Sequence, residues 1–263
     1  VPGKTAEKEA VTIRSSRSAI MAIVAFCAAV FVAALDQTMV YTLMRDLMYA
    51  LGIDVEHISE AAWIITGYLL GYTVAMPLFG RLADIRGRRI MTLVALFLFL
   101  VGSAFCSLGG FERFSVFQRL DIFVVARVIQ AAGGGALVPI AMSAAADMFP
   151  LRRRALMLGI VGGAAEAGGV LGPLYGVALA ALWYWPLIFI INIPLSLFLV
   201  VVFARVLRGD LRHPEYSVPQ GPSNGGSKTE STPQAATHRW WNRGRVDYGG
   251  AALMALTLAG VTI

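Results

Sequence analysis

Histidine, cysteine and charge are all scarce in this chain. Its 263 residues include three His and two Cys. His57, His213 and His238 fall in connecting segments, with no HExxH or GxSxG pattern to organise a metal or a nucleophile. The sequence therefore points to no enzyme, no metal site and no cofactor. Cys27 and Cys106 sit inside apolar runs without framework spacing and read as small core hydrophobes rather than a disulfide or metal pair. Charged residues make up 14% of the chain against 57% hydrophobic, and the mean hydropathy is +0.69. A soluble domain of this size needs more surface charge than that. The net charge of +6 is no nucleic-acid footprint, because the chain has no basic stripe with interleaved aromatics. Dyad alternation is missing too, which excludes a membrane β-barrel.

What the chain does have is long apolar blocks, several near the roughly 20 residues that cross a bilayer as a helix. Seven are read: Ile20–Leu43, Ala61–Phe79, Ile90–Leu108, Ile122–Met148, Ala155–Leu182, Pro186–Val206 and Tyr248–Ile263. The first is too long for a signal-peptide core, holds an Asp and leads straight into further membrane segments. The fold class is all-α integral membrane. Lys4, Lys8, Arg14 and Arg17 precede the first block; Arg81, Arg86, Arg88 and Arg89 follow the second; Arg152, Arg153 and Arg154 follow the fourth. Arg208, Arg212, Lys228, Arg239, Arg243 and Arg245 follow the sixth, whereas the opposite loops hold Arg45, Arg113 and Arg119. By the positive-inside rule this predicts a multi-pass protein of the cell membrane with a cytoplasmic N-terminus.

The expected organisation is a cytoplasmic tail over 1–17, a six-helix bundle over 18–207, a linker over 208–246 and the start of a seventh helix over 247–263. The linker is rich in Pro, Gly, Ser and Thr and lacks an apolar face, which predicts disorder in its middle. Trp240 and Trp241 at its basic end suit the headgroup level. The last apolar block runs to Ile263, and the expectation is the N-terminal portion of something longer.

Several stretches carry a family resemblance. "GRLADIRGRR", Gly80–Arg89, is similar to the loop signature of the major facilitator superfamily through Gly80, Leu82, Ala83, Asp84, Gly87, Arg88 and Arg89, with the usual basic residue after the Asp displaced to Arg86. Gly80 and Gly87 are expected to permit a tight turn between two helices. "ALDQTMVYTLMRDL" resembles the first-helix motif of the 14-helix drug:proton antiporters, and "ARVIQAAGGGALVP" their fourth-helix motif, with Ala131 in place of a Gly. "GVLGPLYG" matches the antiporter motif through Gly168, Gly172, Pro173 and Gly176. "WYWPLIFIINIPLSL" is similar to the sixth-helix motif, with Tyr184 in an Arg position, and "DYGGAALMALTLAG" to the seventh-helix start. "TLMRDLM", "WIITGYLLGY", "AMPLFGR" and "GALVPI", with Glu166, resemble the actinobacterial exporters of triacylglycerides and drugs within that family.

The resemblance implies the N-terminal six-helix bundle of a major facilitator transporter plus the start of helix 7. It implies alternating access, with Gly80, Asp84, Gly87, Arg88 and Arg89 forming a cytoplasmic gate and Asp147 as the partner of Arg88. It also implies coupling roles for Asp36 and Arg127. Expected partners are protons, a hydrophobic small molecule or lipid, the bilayer, a C-terminal bundle and, for a lipid exporter, a periplasmic lipoprotein. The expected function is proton-coupled export of hydrophobic drugs or lipids; the alternative is a proton-coupled uptake symporter for a small metabolite. A channel is disfavoured because the ionisable residues are isolated and unlike, not a repeated ring.

The residues themselves add a physical reading. Gly168, Gly172 and Gly176 recur every four residues and, with Gly163 and Ala164, predict a smooth stripe for close helix approach. Pro173 is expected to bend that helix. Glu166 lies about 17 Å into its block at ~1.5 Å per residue, near mid-bilayer, where a carboxylate is expected to face the bundle interior or a water-filled cavity. It is a candidate proton carrier, or alternatively a structural hydrogen-bonding group. Asp36 stands toward the outer third of the first block. It either faces Arg127 and forms a coupled pair or is a plain interfacial Asp; Gln130 and Thr38 are possible extensions of a polar network. "GGFERFSVFQRLD", Gly109–Asp121, reads as a long outer loop that inserts extra residues or forms a short interfacial helix.

Overall fold

The computed structural model describes residues 3–111, 116, 119–181 and 185–206, with side chains of 3–17, Val55 and Ala180 left aside. The chain forms α1 (Gly3–Ala50), a short 3₁₀ turn (Val55–His57), α2 (Ile58–Arg86), α3 (Arg88–Leu108), α4 (Leu120–Met148), α5 (Leu151–Ala180) and α6 (Leu187–Val206). All six helices are long and apolar enough to cross a membrane, α1 from Ser18 onward. Each corresponds to one of the first six apolar blocks. The linker over 208–246 and the seventh block, including Trp240 and Trp241, lie outside the described residues, as do 112–115 and 117–118 of the outer loop.

Two helices run well past the C-terminal ends of their apolar blocks. α1 continues past Leu43 to Ala50, so Arg45 lies on the helix, exposed, and not in a loop. Its buried side, Met39, Leu43 and Leu47, keeps the helical spacing of the earlier turns, and that side carries the helix onward. α2 likewise continues past Phe79 to Arg86, because Ala83 keeps its core face buried. Gly80 is therefore inside α2, with Pro139 of α4 beside its open position, and forms no part of the turn. The turn is Gly87 alone, at φ 91° and ψ 141°, a backbone conformation that side chains other than glycine's disfavour.

α4 is the hub, packing on α2 and α3 most extensively and also on α1 and α5; α1 packs chiefly on α5, and α6 on α3. Three successive glycines make the hub possible. A methyl group on Gly133 would run into the α3 backbone at Ala95 and Phe99, one on Gly135 into the α2 backbone at Tyr72, and one on Gly134 would crowd Ala33 of α1 and Tyr68. Successive helix positions point about 100° apart, so one glycine serves each neighbour.

The α5 seam also rests on close approach. Gly168, Gly172 and Gly176 lie against Phe31, Leu35, Thr38 and Met39 of α1, where an added methyl would meet main-chain oxygens. Pro173 lies within α5, and Thr42 Oγ1 of α1 donates to its carbonyl at 3.4 Å. Gly163 is not part of the seam: nothing lies within 4 Å of its open position. Five residues before Gly168 is 140° round the helix at ~100° per residue, and that rotation takes it off the α1 face.

Apolar side chains form two clusters. One gathers Ala22–Ala33 of α1 with the Ala75–Ala83, Met91–Phe99, Ala136–Ala145 and Leu199–Phe203 portions of the other helices. The second gathers Met39–Leu47 with Ile64, Cys106, Phe123, Ala126, Leu179, Ile188 and Phe189. On each of α1, α2, α3, α4 and α6 a polar residue falls between the two: Asp36, Tyr68, Ser103, Arg127 with Gln130, and Asn192. The core is two apolar layers with a polar layer across the middle.

Candidate functional site

The polar layer is closed to solvent. Asp36 and Arg127 are each 1% exposed, Gln130 and Ser103 0%, and Asn192 4%. Arg127 Nη1 donates to Asp36 Oδ2 at 2.8 Å and to Gln130 Oε1 at 2.6 Å. Asp36 Oδ1 accepts from Gln130 Nε2 at 2.9 Å and from Asn192 Nδ2 at 2.6 Å. Gln130 Nε2 also donates to Ser103 Oγ at 2.8 Å, and Ser103 donates onward to the Phe99 carbonyl. The Arg127 guanidinium lies 4.1 Å from the Tyr68 ring centroid and 5.6 Å from that of Phe189. Burying two charges is costly unless they are paired and their remaining hydrogen-bonding capacity is met. Here four helices supply partners for the carboxylate and for Arg127 Nη1, two aromatic faces flank the cation, and Arg127 Nε is buried with no hydrogen-bond partner among the described residues.

Asp36 is thus no interfacial aspartate. It and Arg127 face each other across α1 and α4, and Gln130 joins them. Arg127 and Gln130 are three apart on α4 and project to one side, which lets both reach the same carboxylate. Thr38 does not join: its hydroxyl donates back to the Ala34 carbonyl at 3.2 Å. Asn192, Ser103 and Tyr68 join the layer without a charge to mark them in the sequence. For Asn192 a signal existed, since it is the lone amide in the apolar run "LIFIINIPLSL". Ser103 and Tyr68 looked like ordinary membrane-helix residues.

Glu166 is exposed and stands apart from this layer. Gly168 fixes which side of α5 faces α1, and Glu166, two positions earlier, is 200° away at ~100° per residue. Of the two expected surroundings, the interior of these six helices is thus not where Glu166 stands. It stands on the open side of α5, with no neighbour within 4 Å of the open positions of Gly159, Gly162, Gly163 and Gly169. The Tyr72 ring of α2 stacks 6.1 Å from that of Tyr68.

At the Gly87 end of the bundle Arg88 forms an ion pair with Asp147, joining the start of α3 to the end of α4. Arg88 is largely covered and Asp147 half exposed. Asp84 and Arg89 are exposed, and Asp84 is not the partner of Arg88. At the opposite end Arg119 and Asp121 form an exposed pair at 3.2 Å.

Six membrane-length helices around a sealed ion pair define a multi-pass membrane protein. The chain belongs to the Major Facilitator Superfamily, whose family model matches residues 26–263. It is 41% identical over 198 residues to a triacylglyceride transporter of Mycolicibacterium smegmatis, 74% of this chain and 34% of that protein. It is 43% identical over 183 residues to a triacylglyceride transporter of Mycobacterium tuberculosis, 69% and 34% of the two chains. The chain therefore spans about a third of the length of the curated relatives it matches. Among solved structures, it is similar to a proton:xylose symporter with a TM-score of 0.63 and 16% identity, over 73% of this chain and 45% of that one. A partially occluded inward-open form of the xylose transporter from E. coli gives 0.60 at 18% identity, over 71% and 49%. These likenesses identify the fold as the six-helix N-terminal bundle of that superfamily.

Proposed function

We propose that this chain supplies the N-terminal bundle of a proton-coupled exporter of hydrophobic molecules in the cell membrane, working by alternating access. The single observation that carries the reading is the sealed Asp36–Arg127 pair. A buried carboxylate that loses its charge leaves the cation beside it unbalanced in an apolar core, so a proton on Asp36 is a force for rearrangement. The relatives favour a lipid of the triacylglyceride class as substrate over a drug. The Lys and Arg distribution supports a cytoplasmic N-terminus and a cytoplasmic Gly87 turn. On that orientation Arg88–Asp147 is the gate that holds the cytoplasmic side shut, with Gly87 as its pivot and Asp84 and Arg89 exposed beside it. Glu166 is the second proton carrier, on the face that a C-terminal bundle covers. Gly168, Gly172, Pro173 and Gly176 keep α5 fixed to α1 while that face moves.

The test uses the full-length protein in lipid vesicles under an imposed proton gradient. Asp36→Asn and Glu166→Gln are each expected to abolish proton-driven efflux of a labelled triacylglyceride while membrane insertion stays normal. Near-normal efflux in both removes the proton-carrier assignment. Entry of substrate together with protons replaces export with the uptake symporter.

A further inference from the structure

The seam between α6 and the polar layer has its own design. The buried stripe of α6 runs through Ile188, Phe189, Asn192, Ser196, Leu199 and Phe203, and among the described residues its one side-chain hydrogen bond to another helix is Asn192 to Asp36, at 2.6 Å. One turn earlier Phe189 faces the Arg127 guanidinium at 5.6 Å. It also closes an edge-to-face cluster with Phe123 and Trp185, at centroid separations of 5.9 and 6.3 Å. Two residues beyond Asn192 comes Pro194, exposed and inside the helix. Having no N–H, it cannot bond the carbonyl four residues back, and α6 is weakest there. The first turns of α6 thus combine an aromatic cover over the cation, an amide fastened to the anion and a weak point just past both.

We propose that Asn192 is a positioning residue, a latch that holds the first turns of α6 over the Asp36–Arg127 pair and releases them when Asp36 takes up a proton. The proposal rests on the proton-coupling reading above and adds the element that responds. Asp36 already accepts three hydrogen bonds, two of them on Oδ1. An amide bond to a carboxylate is charge-assisted, and neutralising the acceptor roughly halves such a bond. Of the two amide donors on Oδ1, Gln130 remains held by Ser103 and Arg127. Among the described residues Asn192 has no other partner on a neighbouring helix, so α6 is the element that lets go. Pro194 is the hinge on which it swings, and the aromatic cluster lifts with it, opening the pair to water.

Cys106 supplies a native reporter. It is fully buried in the same apolar cluster as Ile188 and Phe189, with its Sγ 3.9 Å from Gln130 Oε1. In the full-length protein at one fixed pH, maleimide labelling of Cys106 is followed by mass spectrometry of its peptide. Asn192→Leu and Asp36→Asn are each expected to speed labelling about ten-fold, the change expected on losing one hydrogen bond to a charged group. Wild-type protection of Cys106 in Asn192→Leu overturns the latch. Pro194→Ala alters only an exposed position; added to Asp36→Asn it is expected to return labelling toward the wild-type rate, and an unchanged rate overturns the hinge. Efflux assays on the same variants separate the two readings. Fast labelling with intact coupled efflux in Asp36→Asn removes the proton carrier, whereas lost coupling there with a protected Cys106 in Asn192→Leu removes only the latch. The pH profile of efflux is a further check: Asn192→Leu is expected to shift it to the alkaline side, because a donor that favours the charged carboxylate is gone.

Discussion

Removing either member of the Asp36–Arg127 pair leaves the other charged in a core that water does not reach. Breaking a buried pair in this way costs about 3–5 kcal/mol, whereas replacing both partners by apolar groups is close to neutral. Arg127→Leu is therefore expected to lower the thermal unfolding midpoint of the purified protein strongly, and Arg127→Leu combined with Asp36→Leu to recover most of the loss. A double variant no more stable than the single one contradicts this account of the polar layer. On the same energetics the layer contributes little to stability that Leu and Phe would not match. The residues that complete it differ in how visible they are. Asp36 and Arg127 stand out because charge in an apolar run is expensive and demands a reason. Asn192 is a weaker signal, a lone amide in an apolar run, and Ser103 and Tyr68 give none, since a single hydroxyl or phenol occurs in many membrane helices with no role beyond packing.

At the scale of the helix, α5 presents two glycine-lined sides with opposite fates. On one side Gly168, Gly172 and Gly176 lie against the α1 backbone; on the other Gly159, Gly162, Gly163 and Gly169 have none of the described residues within 4 Å of their open positions. Gly168→Ala forces a methyl into the Phe31 carbonyl, which cannot move aside, and is expected to destabilise the chain by about 1–3 kcal/mol. Gly163→Ala meets open space and is expected to be neutral or to stabilise by up to about 1 kcal/mol through helix propensity. Thermal unfolding of the two variants side by side distinguishes them, and an equal loss in both contradicts the assignment of faces. The four-residue spacing of the seam is legible in sequence, but Gly163 looks equally small and apolar. Rotation about the helix axis, fixed by α1, is what separates it from its neighbours. The same holds for Gly80, which reads as a turn glycine until the buried Ala83 shows that α2 continues past it.

For the molecule as a whole, the sealed polar layer and the Arg88–Asp147 pair lie on opposite sides of the larger apolar cluster, at the middle and one end of the bundle. In the proposed cycle the pair holds one end shut while the layer titrates. Asp147 is half exposed, and solvent screening limits such a pair to about 1 kcal/mol, or about a five-fold change in population. Asp147→Arg is thus expected to raise cytoplasmic accessibility of the central cavity a few-fold in the full-length protein, measured by thiol labelling from that side. Arg88→Asp with Asp147→Arg is expected to restore it. A swap that behaves like the single variant rules out the ion pair as the gate.

By itself the sequence determined that this is a helical membrane protein, which of its helices cross, and that Asp36, Arg127 and Glu166 are charges set inside the spans. Each of these follows from a penalty that lipid imposes on composition: apolar length, the side on which Lys and Arg accumulate, the rarity of a charge inside a span. Only the tertiary structure decided that α6 closes the ring around Asp36 through Asn192 and that Glu166 looks away from this bundle. Those outcomes depend on how far each helix turns about its own axis when it packs, and an apolar run carries almost no record of that angle.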